Sequence, residues 1–352
     1  MKIFVNIVTL AVLGFPVPTL TAPSECPKNP LMFKATLVNI TGESQLGTNI
    51  EGAATDKAGN FYTANFGNDT NAIAKLNSNG TLSLAYHDKN GNTWFNSIRT
   101  IKSETANSSF VMFAGDIAGH RVVKIEGLAD NKPKATDFCK DSKMLQPNDM
   151  ALTSDGNLYL SGMNYTATST VGSGDLWWCK ADGKAALLDK LHRTNGIEVS
   201  PNNIYLYLSE SVNVDGAVTE NRIMRYEIDA ETGVKYENKV PKKTVFVDFK
   251  QLDGTQATDI DGMRCDEKGR LFVTRNGLGE IAVFSRDGCL LARIEVPGMK
   301  SVKNLEFSGA KGNILHIVGV CDKGKGARND TAGMGCIATW NRASVGLEWS
   351  QL

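Results

Sequence analysis

The sequence predicts an all-β fold, a six-bladed β-propeller with a metal site on its axis. Three observations predict it. One phrase recurs: Glu51-Gly52 opens EGAATDKAGNFYTANF, Asn148-Asp149 opens NDMALTSDGNLYLSGM, Asn195-Gly196 opens NGIEVSPNNIYLYLSE, Asp261-Gly262 opens DGMRCDEKGRLFVTRN, and Asn304 opens NLEFSGAKGNILHIVG. Strand-like cores rich in β-branched and aromatic residues recur at 61–65, 110–114, 158–161, 204–209, 271–274 and 314–318, about 45 residues apart except for one gap of 67. Few windows show a helical period with caps. Units of this length, each with about four short strands, are the signature of propeller blades. A sandwich or barrel is the alternative, but neither requires a regular period.

From the N-terminus, Lys2 precedes an apolar stretch over 3–20 and then small or polar residues at Thr21, Ala22 and Ser24. This is the pattern of a signal peptide, expected over 1–22, with a single propeller domain over 23–352. Pro16 and Pro18 interrupt the stretch, which argues against a membrane anchor, and no later segment is long and apolar enough to span. In each unit an acid or amide leads, a strand follows, then a polar turn with Gly or Asn, then a second strand. The lead residue stands 11 positions before an aromatic in three copies, Glu51 to Tyr62, Asn148 to Tyr159 and Asp261 to Phe272; the spacing is 12 to Tyr207 and His316 in the others. The unit around FNSIRTIKSETANSSFVMFAGD is the least regular and has no matching lead acid. The wide gap holds VNVDGAVTENR and KYENKVPKK, which read as long loops. Trp177-Trp178 reads as packing within a blade.

Formal net charge is zero and the pI about 6.9, so nothing in the chain supplies a field for nucleic acid or an anionic membrane. Seven cysteines in a chain with a signal peptide favour disulfides and leave one thiol over. Cys321 and Cys336 flank a turn-rich stretch between two strand-like segments and are expected to pair. Asn39, Asn68, Asn79, Asn107, Asn164 and Asn329 each open a glycosylation sequon. The expected location is secreted and extracellular, and the expected state a monomer. There is no Cys/His cluster of zinc-site spacing, no GxSxG elbow, no P-loop and no dinucleotide-binding glycine motif.

A polar residue at one phase of a blade repeat faces the propeller axis. Glu51, Asn148, Asn195 and Asp261 therefore bring two carboxylates and two amides from four blades to one place. The set is all oxygen, as a hard divalent cation such as Ca2+ requires, with Mg2+, Mn2+ or Zn2+ as alternatives. The bland alternative is that these residues only bond the ends of the inner strands. Asn304 reads as a pocket-lining or structural residue.

The motifs EGAATDKAGNFY, PNDMALTSDGNLYLSG, NGIEVSPNNIYLYLS and DGMRCDEKGRLFVT resemble the regucalcin/gluconolactonase-like family of six-bladed propellers over most of 51–320. The resemblance implies one axial divalent cation, with Glu51, Asn195 and Asp261 as ligands and Asn148-Asp149 contacting substrate or metal. Two departures stand out. Relatives commonly read EGP where this chain has Glu51-Gly52-Ala53, and lactone-opening relatives often carry an Arg where this chain has Gln146.

Two functions follow. One is a metal-dependent hydrolase of a lactone or related ester, with the cation polarising the carbonyl and Asp261, or a metal-held water, supplying the attack. Asn148 and Asp149 would bind substrate. The other is a non-catalytic secreted binding protein with a structural calcium, holding its partner on loops such as 211–222 and 322–335. Among four histidines only His316 falls in the repeat phase, where packing is the expected role.

Overall fold

Six sheets of four or five strands follow one another along the chain in a computed structural model that describes residues 26–40, 46–47, 50–66, 69–77, 79–89, 92–103, 109–255, 260–322, 334–341 and 343–352. The expected signal segment and the sequons at Asn68, Asn107 and Asn329 lie outside the described residues. The first strands of the sheets are Ala53–Thr55, Phe95–Lys102, Pro147–Leu152, Arg193–Val199, Ile260–Cys265 and Met299–Ser308. They touch one another in a closed cycle, the sixth returning to the first, which makes a six-bladed propeller. Pro147–Leu152 and Ile260–Cys265 are buried throughout, as strands covered on both faces must be. The outermost strand Lys134–Lys140 instead alternates towards solvent.

The ring closes through a strand that the sequence pattern does not announce. Thr36–Leu37, ahead of the first blade, pairs with Gly335–Trp340 and becomes the outer strand of the sixth sheet. The added strand covers the edge of the sixth sheet that Gly335–Trp340 would otherwise present. Leu31–Lys34 lies beside Leu290–Glu295 of the fifth sheet in the parallel sense. Cys26 bonds Cys289, across a sequence separation of 263, and fastens the same segment. Removing this bond with Cys289→Ser is expected to lower stability by about 2–5 kcal/mol, since it closes a long loop in the unfolded chain. A thermal melt unchanged by the substitution would contradict that.

The other disulfides join Cys139 of the second blade to Cys179 of the third, and Cys321 to Cys336 on neighbouring strands of the sixth. Cys265 is left as a buried thiol, so the odd cysteine points inward rather than to another chain.

The core lies between blades rather than within one layer. Tyr62 of the first blade packs on Phe110 of the second, with ring centroids 5.8 Å apart. Tyr159 of the third donates its hydroxyl to Gly233 O of the fourth at 2.6 Å, and Phe272 of the fifth meets Phe307 of the sixth edge-on at 5.0 Å. The recurring aromatic is thus the wedge that fills the angle between successive blades. His316 does the same between sixth and first, stacked 4.7 Å from Phe61 with Nδ1 on the Ser308 hydroxyl. Burial pushes its pKa down to about 4, which keeps it a neutral packing residue. Trp177 and Trp178 are buried in the third blade.

Both segments read as loops in the wide gap carry strand pairing. VNVDGAVTENR continues the pair Tyr205–Val214 and Ala217–Asp229 through Asp215-Gly216, both at positive φ. That is the two-residue hairpin turn whose twist matches paired strands. KYENKVPKK holds a smaller ribbon of Tyr236–Glu237 with Val240–Pro241. Among the described residues no helix is long and apolar enough to cross a membrane.

Candidate axial site

Three of the axial lead residues sit where the inner strand slips register. The pairing of inner and second strands skips Asn148 between Pro147 and Asp149, Asn195 and Gly196 between Thr194 and Ile197, and Asp261 and Gly262 between Ile260 and Met263. Such bulges leave one residue unpaired and turn its side chain out of the sheet. The second strand repairs the exposed backbone with a hydroxyl. Ser161 Oγ accepts from Asp149 N at 3.2 Å, Ser209 Oγ from Asn195 N at 3.0 Å and Thr274 Oγ1 from Asp261 N at 3.1 Å. Glycine follows three of the lead residues because the neighbouring blade comes too close for a side chain. A Cβ on Gly196 would stand 2.0 Å from Asp261 O, one on Gly52 2.9 Å from Ser97 Cα, and one on Gly262 2.2 Å from Asn304 Oδ1.

The same geometry finds two members of the ring that the repeat count misses. In the second blade the slip falls at Asn96, whose Nδ2 donates to Asn148 O at 3.0 Å. In the sixth it falls at Lys303, not at Asn304. Asn304 is the residue after the bulge, equivalent to Asp149. Each of these two turns its Oδ1 back to the next backbone N–H, Leu305 and Met150 respectively, at 2.9 Å. The blade repeat therefore places six residues on the axis: Glu51, Asn96, Asn148, Asn195, Asp261 and Lys303. A hydroxyl 13 or 14 positions after the lead residue marks the phase in the third, fourth and fifth blades, but among the described residues neither Asn96 nor Lys303 has such a hydroxyl bonded opposite its bulge.

Lys303 Nζ donates to Glu51 Oε1 at 2.5 Å, with both side chains more than four-fifths buried. Burial pulls the Lys303 ammonium down, but Glu51 and Asp261 outweigh it and hold its pKa above the ordinary lysine value. Burial raises the Glu51 carboxyl in spite of Lys303, and burial together with Glu51 raises Asp261 well above the usual range. Asp261 Oδ2 accepts from Asn276 Nδ2 at 3.0 Å, and Asn276 Oδ1 is held in turn by the Ser301 hydroxyl at 2.8 Å. Asn195 Oδ1 is buried without a hydrogen-bond partner. Tyr165, exposed and within electrostatic reach of Asp261 and Glu51, lies 5.2 Å from the guanidinium of Arg193.

The donor chemistry of Glu51, Asn148, Asn195 and Asp261 suits a hard cation, and the orphaned Asn195 oxygen points the same way. The charge arrangement does not. Lys303 Nζ already occupies Glu51 Oε1, the carboxylate oxygen an ion would have to bond. A dication would be attracted by the two carboxylates and repelled by the ammonium, so Lys303 in its present place competes with an ion for Glu51 and lowers the affinity of the site. Among the described residues, no three His, Cys, Asp or Glu side chains gather into a metal-holding group.

A second charged layer lies deeper along the same strands. Three residues after the lead positions stand Arg99, Glu198, Arg264 and Glu306, from the second, fourth, fifth and sixth blades, all buried. Arg264 Nε bonds Glu306 Oε2 at 2.7 Å, and its two Nη atoms donate to Met263 O at 2.7 Å and to Ala53 O of the first blade at 3.0 Å. Asp149, expected to touch substrate, faces this layer: its carboxylate lies 3.7 Å from Arg99 and 3.9 Å from Arg264. The C-terminal helix Leu347–Gln351 closes this side with Glu348, which accepts from Thr100 N at 3.0 Å and Thr100 Oγ1 at 2.7 Å. Burial pushes the Glu198 carboxyl up to about 7 against the pull of Arg99 and Arg264, and burial raises Glu348 well above its ordinary value.

Residues 102–320 match the SMP-30/gluconolactonase/LRE-like region. The chain belongs to the SMP-30/gluconolactonase/LRE-like family. The match takes in four of the six axial residues, Asn148, Asn195, Asp261 and Lys303, whereas Glu51 and Asn96 precede it. A curated gluconolactonase of Zymomonas mobilis is 26% identical over 217 residues. That alignment covers 58% of this chain and spans 57% of the curated relative's length. Among solved structures, a calcium-binding protein, regucalcin, of Agrobacterium tumefaciens superposes with a TM-score of 0.63 at 20% identity, covering 91% of this chain and 99% of that one. A luciferin-regenerating enzyme superposes equally well, with a TM-score of 0.63 at 17% identity over 86% of this chain and 95% of its own. At such identities these likenesses establish the propeller fold that the family shares.

Proposed function

We propose that the chain is a hydrolase of a lactone or related ester, acting at the axial pocket, with Asp261 as the base that activates water. The observation that carries this reading is the placement of a buried carboxylate, Asp261, oriented by Asn276, beside a concentrated positive charge and the unpartnered oxygen of Asn195. Asp261 Oδ1 takes no hydrogen bond from the described residues and is the atom to accept the proton. Water would attack the carbonyl, Asp261 would take its proton, and collapse of the tetrahedral intermediate would break the ring C–O bond. The alkoxide would recover the proton, giving a hydroxy acid with atoms balanced. The similarity to a curated gluconolactonase supports the reaction class.

The developing oxyanion requires a positive charge. Two sources are open to this pocket: Lys303 as it stands, or a divalent ion, calcium foremost, held by Glu51, Asn148, Asn195 and Asp261 after Lys303 has withdrawn. Asn148 and Asn96 line the pocket as candidate substrate contacts. Asp149 is proposed instead as a positioning residue, since it faces Arg99 and Arg264. We place the protein in an oxidising, extracellular compartment, which three disulfides and exposed sequons at Asn39, Asn79 and Asn164 support. The test is a panel of sugar lactones, aliphatic lactones and aryl esters assayed with the purified glycoprotein. Turnover of at least one class is expected, and none across the panel would defeat the hydrolase reading.

A further inference from the structure

We propose that Lys303 is the resident cation of the axial pocket, so that this chain neither needs nor tightly binds a divalent ion there. Three observations converge. Lys303 is the unpaired residue of the sixth inner strand's bulge, the same structural position that holds Glu51's counterparts Asn148, Asn195 and Asp261 in other blades. Its ammonium rests on Glu51 Oε1 at 2.5 Å, on the carboxylate with which a divalent ion would have to bond. Asp261 and Tyr165 complete its electrostatic surroundings, so its charge is set against both carboxylates of the pocket.

The charge balance separates this site from a metal centre. Two carboxylates without Lys303 would carry two negative charges, enough for a divalent ion with amide oxygens filling its sphere. With Lys303 the pocket retains one negative charge, and a dication would bring like charge against the ammonium at close range. An amine also differs chemically. It donates hydrogen bonds as a point charge on a flexible stem and does not ionise a bound water as a metal does. On the hydrolase reading, Lys303 would therefore stabilise the oxyanion and leave proton removal to Asp261. The exclusion of the ion does not rest on that reading.

Calcium and manganese titrations by calorimetry on metal-stripped full-length protein test the proposal without using turnover. Wild type is expected to show no binding up to millimolar calcium. Lys303→Met, which keeps the side-chain length without the charge, is expected to gain calcium affinity on the order of 100-fold or more, and its thermal midpoint to rise when calcium is added. Lys303→Arg should stay as blind to calcium as wild type. Micromolar binding by wild type would overturn the proposal on its own, whatever the variants do. So would a folded Lys303→Met that binds no better than wild type. If Lys303→Met folds only with calcium present, the ion has replaced the lost charge and the proposal stands. Absent lactone turnover with this binding pattern intact would defeat the hydrolase reading alone.

Discussion

Asp261→Asn is expected to cut kcat/KM for any lactone or ester the chain opens by about 10²–10⁴-fold, the usual worth of a positioned general base. The substitution is close to isosteric and keeps an oxygen that can accept from Asn276 Nδ2, so the bulge and the bond its backbone N–H donates to Thr274 Oγ1 should survive. What it removes is the capacity to hold a proton during attack. The loss should therefore appear in kcat more than in KM, and thermal stability should be close to that of wild type. Asp261 is buried beside Glu51, and removing one of two neighbouring carboxylates relieves repulsion in the resting state. A stable variant with unchanged turnover would show that the base is another group. A variant that loses activity because it unfolds would be recognised by its melt.

Arg264→Met is expected to destabilise the propeller by about 3–5 kcal/mol, the range found when one partner of a buried ion pair is removed. Arg264 is about as buried as a side chain can be, and it ties three blades: its own, the sixth through Glu306, and the first through Ala53 O. Without it, Glu306 and Asp149 face each other's charge with only Arg99 near, and Ala53 O loses a donor. The cost should show as a lowered midpoint in urea unfolding. Adding Glu306→Gln to Arg264→Met should recover part of it, because the uncompensated carboxylate is the larger share of the penalty. A single variant as stable as wild type would mean that the layer carries little net energy.

These two sites differ in how far the sequence revealed them. Asp261, Glu51, Asn148 and Asn195 were legible because each opens a phrase whose aromatic and turn residues recur at nearly fixed spacing. Lys303 was not, because Asn304 beside it is the residue type that the phrase leads one to expect. Counting from His316 gives a spacing of 12 to Asn304 and 13 to Lys303, and a bulge absorbs one residue without leaving a mark in composition. Asn96 was hidden by the irregular spacing of its blade. The inner layer of Arg99, Glu198, Arg264 and Glu306 lay at a constant three residues after the lead positions, but charged residues in a strand read as solvent-facing until the closed ring buries them.

Residue order alone carries the blade repeat and its all-β character, because periodic burial writes itself into the sequence. It also determined the family, through motifs that survive at low overall identity. Only the tertiary structure decided how the ring closes, since Thr36–Leu37 and Gly335–Trp340 are about three hundred residues apart and pair by a contact no local pattern encodes. It likewise decided which cation faces Glu51. Register, not residue type, sets the direction of a side chain in a bulged strand, and register is fixed by pairing with a neighbour.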